Sequence, residues 1–188
     1  GELNVDYTSY GSEYTDEIAT PGYFSNRLTK YGIKTEVTAT TRSSCERYTF
    51  PAGKGHILLN LGEGLTNESG AMVRRVSDHE IEGVKLLGTF CYNPGAVFPI
   101  YFVMHVNRRP SSSGYWKKQP LLQGVEADWT VDDGEYKLYK NYNREIAGDN
   151  IGYYFSFDNM SEGDQVTVRV GVSFVSMENA RENLNKEQ

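Results

Sequence analysis

The chain has 188 residues, 38% hydrophobic and 23% charged, with 19 Gly and 6 Pro. That composition excludes a coiled coil, a collagen-like chain and wholesale disorder, and the length suits one domain able to bury its own core. Nineteen Lys and Arg stand against 25 Asp and Glu, a formal charge of -6, and the basic pairs Arg74-Arg75, Arg108-Arg109 and Lys117-Lys118 are far apart in sequence. A duplex binder needs a clustered basic surface, so no nucleic acid partner is expected. The longest nearly apolar run, Ala96 to Met104, is interrupted by Pro99 and is far short of the roughly 20 residues of a membrane helix, so no membrane span is expected.

In chain order, the first dozen residues form a soft leader. Ile33, Thr35, Val37 and Ala39 then alternate with Lys34, Glu36, Thr38 and Thr40, the period-two signature of a half-buried strand. After the turn-forming Pro51 to Gly55, the run His56 to Leu61 is a short strand. Phe98, Ile100, Phe102, Met104 and Val106 make one face of a longer strand, with Tyr101 and His105 on the other. Arg109 to Gly114 (Arg-Pro-Ser-Ser-Ser-Gly) is expected to be an exposed loop. Glu135 to Tyr142, Ile151 to Phe157 and Val166 to Phe174 supply three more strands, the last two separated by a loop at Asn159 to Asp164. These segments are rich in Val, Ile, Tyr, Phe and Thr, and no strand–helix–strand rhythm appears. The fold expected is all-β, a large antiparallel β-sandwich over residues 1–175. Residues 176–188 then form a short C-terminal helix, with Ser176 as N-cap, Glu178 in the first turn and an apolar stripe of Met177, Ala180 and Leu184. That helix either links to a following domain or lies on its own sandwich.

Catalytic signatures are missing. His56, His79 and His105 are scattered and none sits in HExxH, no GxSxG elbow occurs, and Asp132, Asp133, Asp158 and Asp164 do not follow EF-hand spacing. Asp78-His79-Glu80 and Asp149 would serve as glycosidase carboxylates only if folding placed them in a cleft. Cys45 and Cys91 allow one disulfide or two buried thiols, and no zinc spacing is present. No catalytic and no metal-ligating residue is therefore assigned. Aromatic residues reach 13%, and rings with an apolar face and a polar edge suit a sugar surface as well as a core. Tyr115, Trp116 and Trp129 are the carbohydrate-binding candidates, with Tyr115-Trp116 expected to be exposed beside the Ser-rich loop.

Several blocks in fixed order carry a family resemblance: Thr20 to Phe24 (TPGYF), Gly32 to Arg42 (GIKTEVTATTR), Arg47 to Pro51 (RYTFP), Ile57 to Leu61 (ILLNL) and Val168 to Leu184. Together the chain resembles the N-terminal domain of glycoside hydrolase family 92, the calcium-dependent α-mannosidases. The resemblance implies a mutarotase-like supersandwich followed by an (α/α) barrel, with the terminal helix leading into that barrel. It also implies exo-acting, inverting hydrolysis of α-mannoside glycans and a secreted or periplasmic location. Calcium and the acid and base carboxylates would belong to the barrel, the sandwich supplying part of the sugar-binding wall. A glycine-rich aromatic segment usual upstream of the Thr20 block is not present in these residues, and Glu46 stands where a His is expected.

These readings make the chain an accessory domain, inactive alone, that closes one side of a mannosidase cleft and holds its own C-terminal catalytic barrel in register. Its rivals are a stand-alone carbohydrate-binding module and a structural or adhesive sandwich. The accessory reading further expects an uncovered apolar patch, on the face meeting the barrel and along the Met177, Ala180, Leu184 stripe.

Overall fold

A computed structural model describes residues 1–63, 68–88, 96–118 and 136–188. In chain order the elements are α1 (Tyr7–Tyr10), β1 (Tyr14–Thr20), β2 (Tyr23–Leu28), β3 (Ile33–Ala39), β4 (Ser43–Thr49), β5 (Gly53–Asn60), β6 (Glu68–Arg75), β7 (Glu80–Leu87), β8 (Phe98–Val106), β9 (Ser112–Lys118), β10 (Tyr136–Lys140), β11 (Ile146–Gly148), β12 (Ile151–Met160), β13 (Gln165–Ser173) and α2 (Met177–Glu187). Among the described residues the strands form two antiparallel sheets, ordered β1-β2-β3-β4-β13-β8-β7-β6-β11 and β10-β9-β12-β5. The expected all-β sandwich with a short C-terminal helix is what forms.

The alternation legible in the sequence builds the core between the sheets. Phe102, Met104 and Val106 of β8 and Val166 and Val168 of β13 face Tyr153, Phe155 and Phe157 of β12, Ile57 of β5 and Tyr115 of β9. The opposite face of β8 and β13 is covered as well. Val103 is buried with Ala180 and Leu184 of α2. A Cβ on Gly171 would lie 2.4 Å from the Ala180 carbonyl oxygen and 2.7 Å from Leu184 Cβ, so strand and helix backbones meet there because position 171 has no side chain. The Met177, Ala180, Leu184 stripe is thus not an open patch, because Ala180 and Leu184 pack on the helix's own sandwich.

Helix α2 begins where Ser176, in extended conformation, accepts a 3.1 Å hydrogen bond from the Asn179 amide, with Glu178 in the first turn and Lys186 in the last, as the helix dipole favours. Its far end is tied down by Glu187, which accepts from the Arg42 amide and Nε at 2.9 Å each and also from the Thr40 hydroxyl. Gln188 donates to Ser43 Oγ at 2.7 Å.

Two sequence expectations are corrected. The first dozen residues are not a loose leader. Asp6 caps α1 through the Thr8 amide, and Leu3 and Val5 cover Trp116, Tyr154, Leu58 and Tyr136 on the outer face of the four-stranded sheet. The Ser-rich loop ends early, because Ser112 already starts β9, the strand between β10 and β12. Small residues are needed there. A Cβ on Gly114 would fall 2.4 Å from the Tyr139 carbonyl oxygen, and one on Gly152 would fall 2.1 Å from Trp116 Cζ2 and 2.4 Å from the Leu59 carbonyl oxygen.

The indole of Trp116 fills the space that a side chain at 152 would take. Gly152→Ala is therefore expected to destabilise the fold by about 3 kcal/mol through overpacking, read as a lower urea midpoint at unchanged m-value. A midpoint equal to wild type would contradict the packing described.

Candidate functional site

The outer face of the nine-stranded sheet, the face on which α2 lies, carries a cluster of paired polar groups. Register places it: Glu36 of β3 lies opposite Arg47 of β4 and Ser25 of β2, and Thr38 lies opposite Tyr23 and Cys45. Arg47 grips Glu36 with two hydrogen bonds of 2.8 Å, the Tyr23 hydroxyl donates to the same carboxylate at 2.9 Å, and Lys34 stands 3.2 Å away. The bonds from Arg47 outweigh burial and, with Tyr23 and Lys34, hold the Glu36 carboxyl down at about 2. Tyr23, Glu36 and Arg47, with Cys45 and Thr167, line a pocket of about 190 Å³. Tyr23, Glu36 and Arg47 come from three of the sequence blocks that carry the family resemblance.

Further across the same face, His105 of β8 lies opposite Arg169 of β13 and Glu80 of β7. Its ring stacks on His79 at 6.0 Å with 18° between planes, and His79 Nδ1 bonds the Val106 carbonyl at 3.0 Å. Burial, with help from Arg169 and His79, lowers the His105 pKa against the pull of Glu80. Beyond it, Arg181 of α2 reaches Glu80 at 2.7 Å and Glu82 at 2.8 Å, while Arg74 of β6 grips Glu82 from the other side at 2.6 Å. Burial pushes the Glu82 carboxyl up, but the bonds from Arg181 and Arg74 win and keep it below the usual range. This pair of arginines fastens α2 to the sheet.

A second concavity, of about 520 Å³, lies between the N-terminal segment and β3–β5, walled by Tyr10, Tyr31, Ile33, Tyr48, Phe50 and His56. Its polar groups are engaged within the chain. Tyr31 donates to the Tyr10 carbonyl at 2.8 Å, and His56 bonds Ser156 Oγ at 2.8 Å and the Gly1 carbonyl at 2.9 Å. The Tyr48 hydroxyl donates to Glu46, which gives a structural use to the carboxylate standing where the resemblance leads one to expect His. Burial and that neighbouring carboxylate raise the Tyr48 pKa.

The sequence-predicted sugar contacts fall elsewhere. Tyr115 and Trp116 are both fully buried, which corrects the expectation of an exposed pair. Alternation along β9 sends Tyr115 into the core, where its hydroxyl accepts from the Arg75 amide at 2.8 Å, and Trp116 onto Gly152 beneath Leu3 and Val5. Trp129 lies outside the described residues. Cys45 is a free thiol, and Cys91 also lies outside the described residues. Asp78 is paired with Arg75 and with Arg109, and Glu80 with Arg181, so the Asp78-His79-Glu80 run is held by ion pairs.

Every carboxyl that the fold shifts among the described residues is shifted down, namely Glu2, Glu36, Glu82, Asp164, Glu178, Glu182 and Glu187. A glycosidase acid needs the opposite shift. Among the described residues no three His, Cys, Asp or Glu side chains are grouped to hold a metal ion. Nor is any described helix long and apolar enough to cross a membrane.

The family model that matches this sandwich is that of a glycosyl hydrolase domain. Residues 1–173 match the glycosyl hydrolase family 92 N-terminal domain, and the chain belongs to that family. The family GH92 alpha-mannosidase BT3965 from Bacteroides thetaiotaomicron superposes with a TM-score of 0.74 at 26% identity, covering 93% of this chain and 22% of that one. The family GH92 inverting mannosidase BT2199 from the same organism gives 0.74 at 20% identity, covering 100% and 22%. The GH92 glycosyl hydrolase ccman5 gives 0.69 at 23%, covering 91% and 22%; these last two likenesses bear on the fold. The chain thus spans 22% of the length of BT3965. No curated protein sequence matches it.

A carboxyl held down to about 2 stabilises the fold above its ordinary value of 4.5 and loses that contribution as pH falls toward 2. Glu36→Gln is expected to cost about 1–2 kcal/mol at pH 7, a figure reduced for the solvent reaching Arg47. The gap to wild type should close between pH 4.5 and 2, as measured by urea denaturation across that range. A gap independent of pH would contradict the ion pair's role.

Proposed function

We propose that the chain is the accessory N-terminal domain of an exo-acting, inverting α-mannosidase, where it forms one wall of the sugar cleft and packs on the catalytic barrel of the same polypeptide. The observation that carries this reading is the family membership, joined to a likeness at 26% identity with an enzyme described as an alpha-mannosidase. Calcium belongs, in this reading, to the catalytic domain, and the polypeptide is secreted or periplasmic.

The chemistry of the described residues supports a division of labour between domains. Inversion requires two carboxyl groups roughly 6.5–9.5 Å apart, one protonated and one free to activate water. On the outer face Glu36, Glu80 and Glu82 are each held by arginine. A carboxylate held on both oxygens and kept ionised, as Glu36 is by Arg47, is a poor proton donor at neutral pH. What such a face offers is a rigid polar wall with fixed donors and acceptors, suited to orienting hydroxyl-rich ligands or to meeting another domain. The acid and base then come from residues outside this chain.

The 188-residue chain alone is expected to fold and to give no turnover of 4-nitrophenyl α-mannoside or α-mannobiose, while the complete parent polypeptide releases mannose with inversion, followed by NMR of the first-formed anomer. Steady mannose release by the pure chain would overturn the division of labour.

A further inference from the structure

Core cover runs out along the two central strands of the large sheet, and it does so in one direction. On β13 the core-facing row passes from Val166 at 0% and Val168 at 1% exposure to Val172 at 36%, and Phe174 just past the strand reaches 71%. On the adjacent β8 the same row passes from Val106 at 0% through Phe102 at 5% to Phe98 at 48%. Val175 is also 71% exposed. The apolar alternation continues past the edge of the opposing sheet, leaving large side chains in water at the end of the sandwich from which α2 departs.

The backbone beneath this patch is fixed. The Val172 amide donates to the Arg42 carbonyl at 2.9 Å, and Asn183 of α2 donates to the Val172 carbonyl at 2.9 Å. The Val175 amide donates to Ser173 Oγ at 3.0 Å, and Ser176 caps the helix. A flexible tail would spread Phe174 and Val175 over many positions; here the turn holds them in one. An apolar surface held in place before its partner arrives loses little entropy when covered.

We infer that Val172, Phe174 and Val175, with Phe98 beside them, are the anchor on which the following domain of the same polypeptide seats, an assignment that rests on the accessory-domain reading above. Two observations name that occupant. The match to the family's N-terminal domain stops at residue 173, next to the exposed pair. The aligned mannosidase matches 93% of this chain with only 22% of its own length, so in that enzyme most of the polypeptide lies outside the aligned part. Phe174 enters the neighbouring domain as an apolar knob, while α2, clasped by Glu80 and Glu82 through Arg181, sets the direction in which the chain leaves.

Phe174→Cys tests this in the complete parent polypeptide and in the 188-residue chain, with alkylation by iodoacetamide followed by site-resolved mass spectrometry to separate position 174 from Cys45 and Cys91. At position 174 the parent is expected to be alkylated at least about tenfold more slowly than the short chain. Phe174→Ser with Val175→Ser in the parent is expected to raise proteolytic cleavage at the junction about 30-fold, the loss of one interface hot spot. The double variant of the short chain should keep its Tm, because both side chains are solvent-exposed there. Equal alkylation rates in a parent that hydrolyses mannosides overturn the anchor and leave the family function standing. A parent without mannosidase activity overturns the reading on which the anchor rests.

Discussion

Two central strands, β8 and β13, must be covered on both sides, and the rest of the domain is arranged around that constraint. Their core-facing rows of Val, Met and Phe require an opposing sheet, which β5, β9 and β12 provide. Their other face carries Val103 and the bare backbone of Gly171, which require a helix close enough to touch, and α2 provides it. Hydrophobic burial drives both contacts but does not choose an orientation for the helix. Orientation comes from charge. Glu82, 9% exposed at its side chain, is bound by Arg74 from the sheet and Arg181 from the helix, and a carboxylate buried this far must keep its partners or lose several kcal/mol. Glu187 on Arg42 and Thr40 fixes the other end of the helix.

The best-buried carboxylates of the outer face are all bound to arginines from neighbouring strands or from α2. Carboxylates on the outer face work as struts. Glu36 joins β2, β3 and β4 through Tyr23 and Arg47, and Glu80 and Glu82 join β6, β7 and α2 through the two arginines. Catalysis by a general acid asks for a carboxyl whose proton is available near neutral pH, and the arginine contacts on Glu36 and Glu82 lower their proton affinity instead.

How much of this was legible in the sequence depended on whether neighbours mattered. Ile33–Ala39 and Phe98–Val106 form strands where the alternation places them, but burial is not confined to one face: Glu36 is buried beside Thr35, and Val103 lies under α2 between the core residues Phe102 and Met104. Helix α2 was legible from Ser176 and its short apolar stripe, but not the surface it lies on, since Gly171 reads as a weak strand residue until the helix is seen against it. Strand β9 hid behind Ser-Ser-Gly, whose small side chains are demanded by Tyr139 and Tyr154 from other strands. For the same reason Tyr115 and Trp116 looked like surface rings: their burial depends on β12 and on Leu3 and Val5. Strand β1 is exposed throughout and carries no burial pattern to read. Tyr23, Glu36 and Arg47 each fell within recognisable blocks, but only the register of β2, β3 and β4 brings them together.

Helix α2 is a rigid part of this domain, packed on β8 and β13 and tied down at both ends. Native-state hydrogen exchange on the isolated chain tests that most directly. The Ala180 to Leu184 amides should exchange with an opening free energy within about 1 kcal/mol of the β8 and β13 amides. In Arg181→Ala the helix amides alone should lose protection. Helix amides that exchange freely in the wild-type chain, above a fully protected sandwich core, would contradict it.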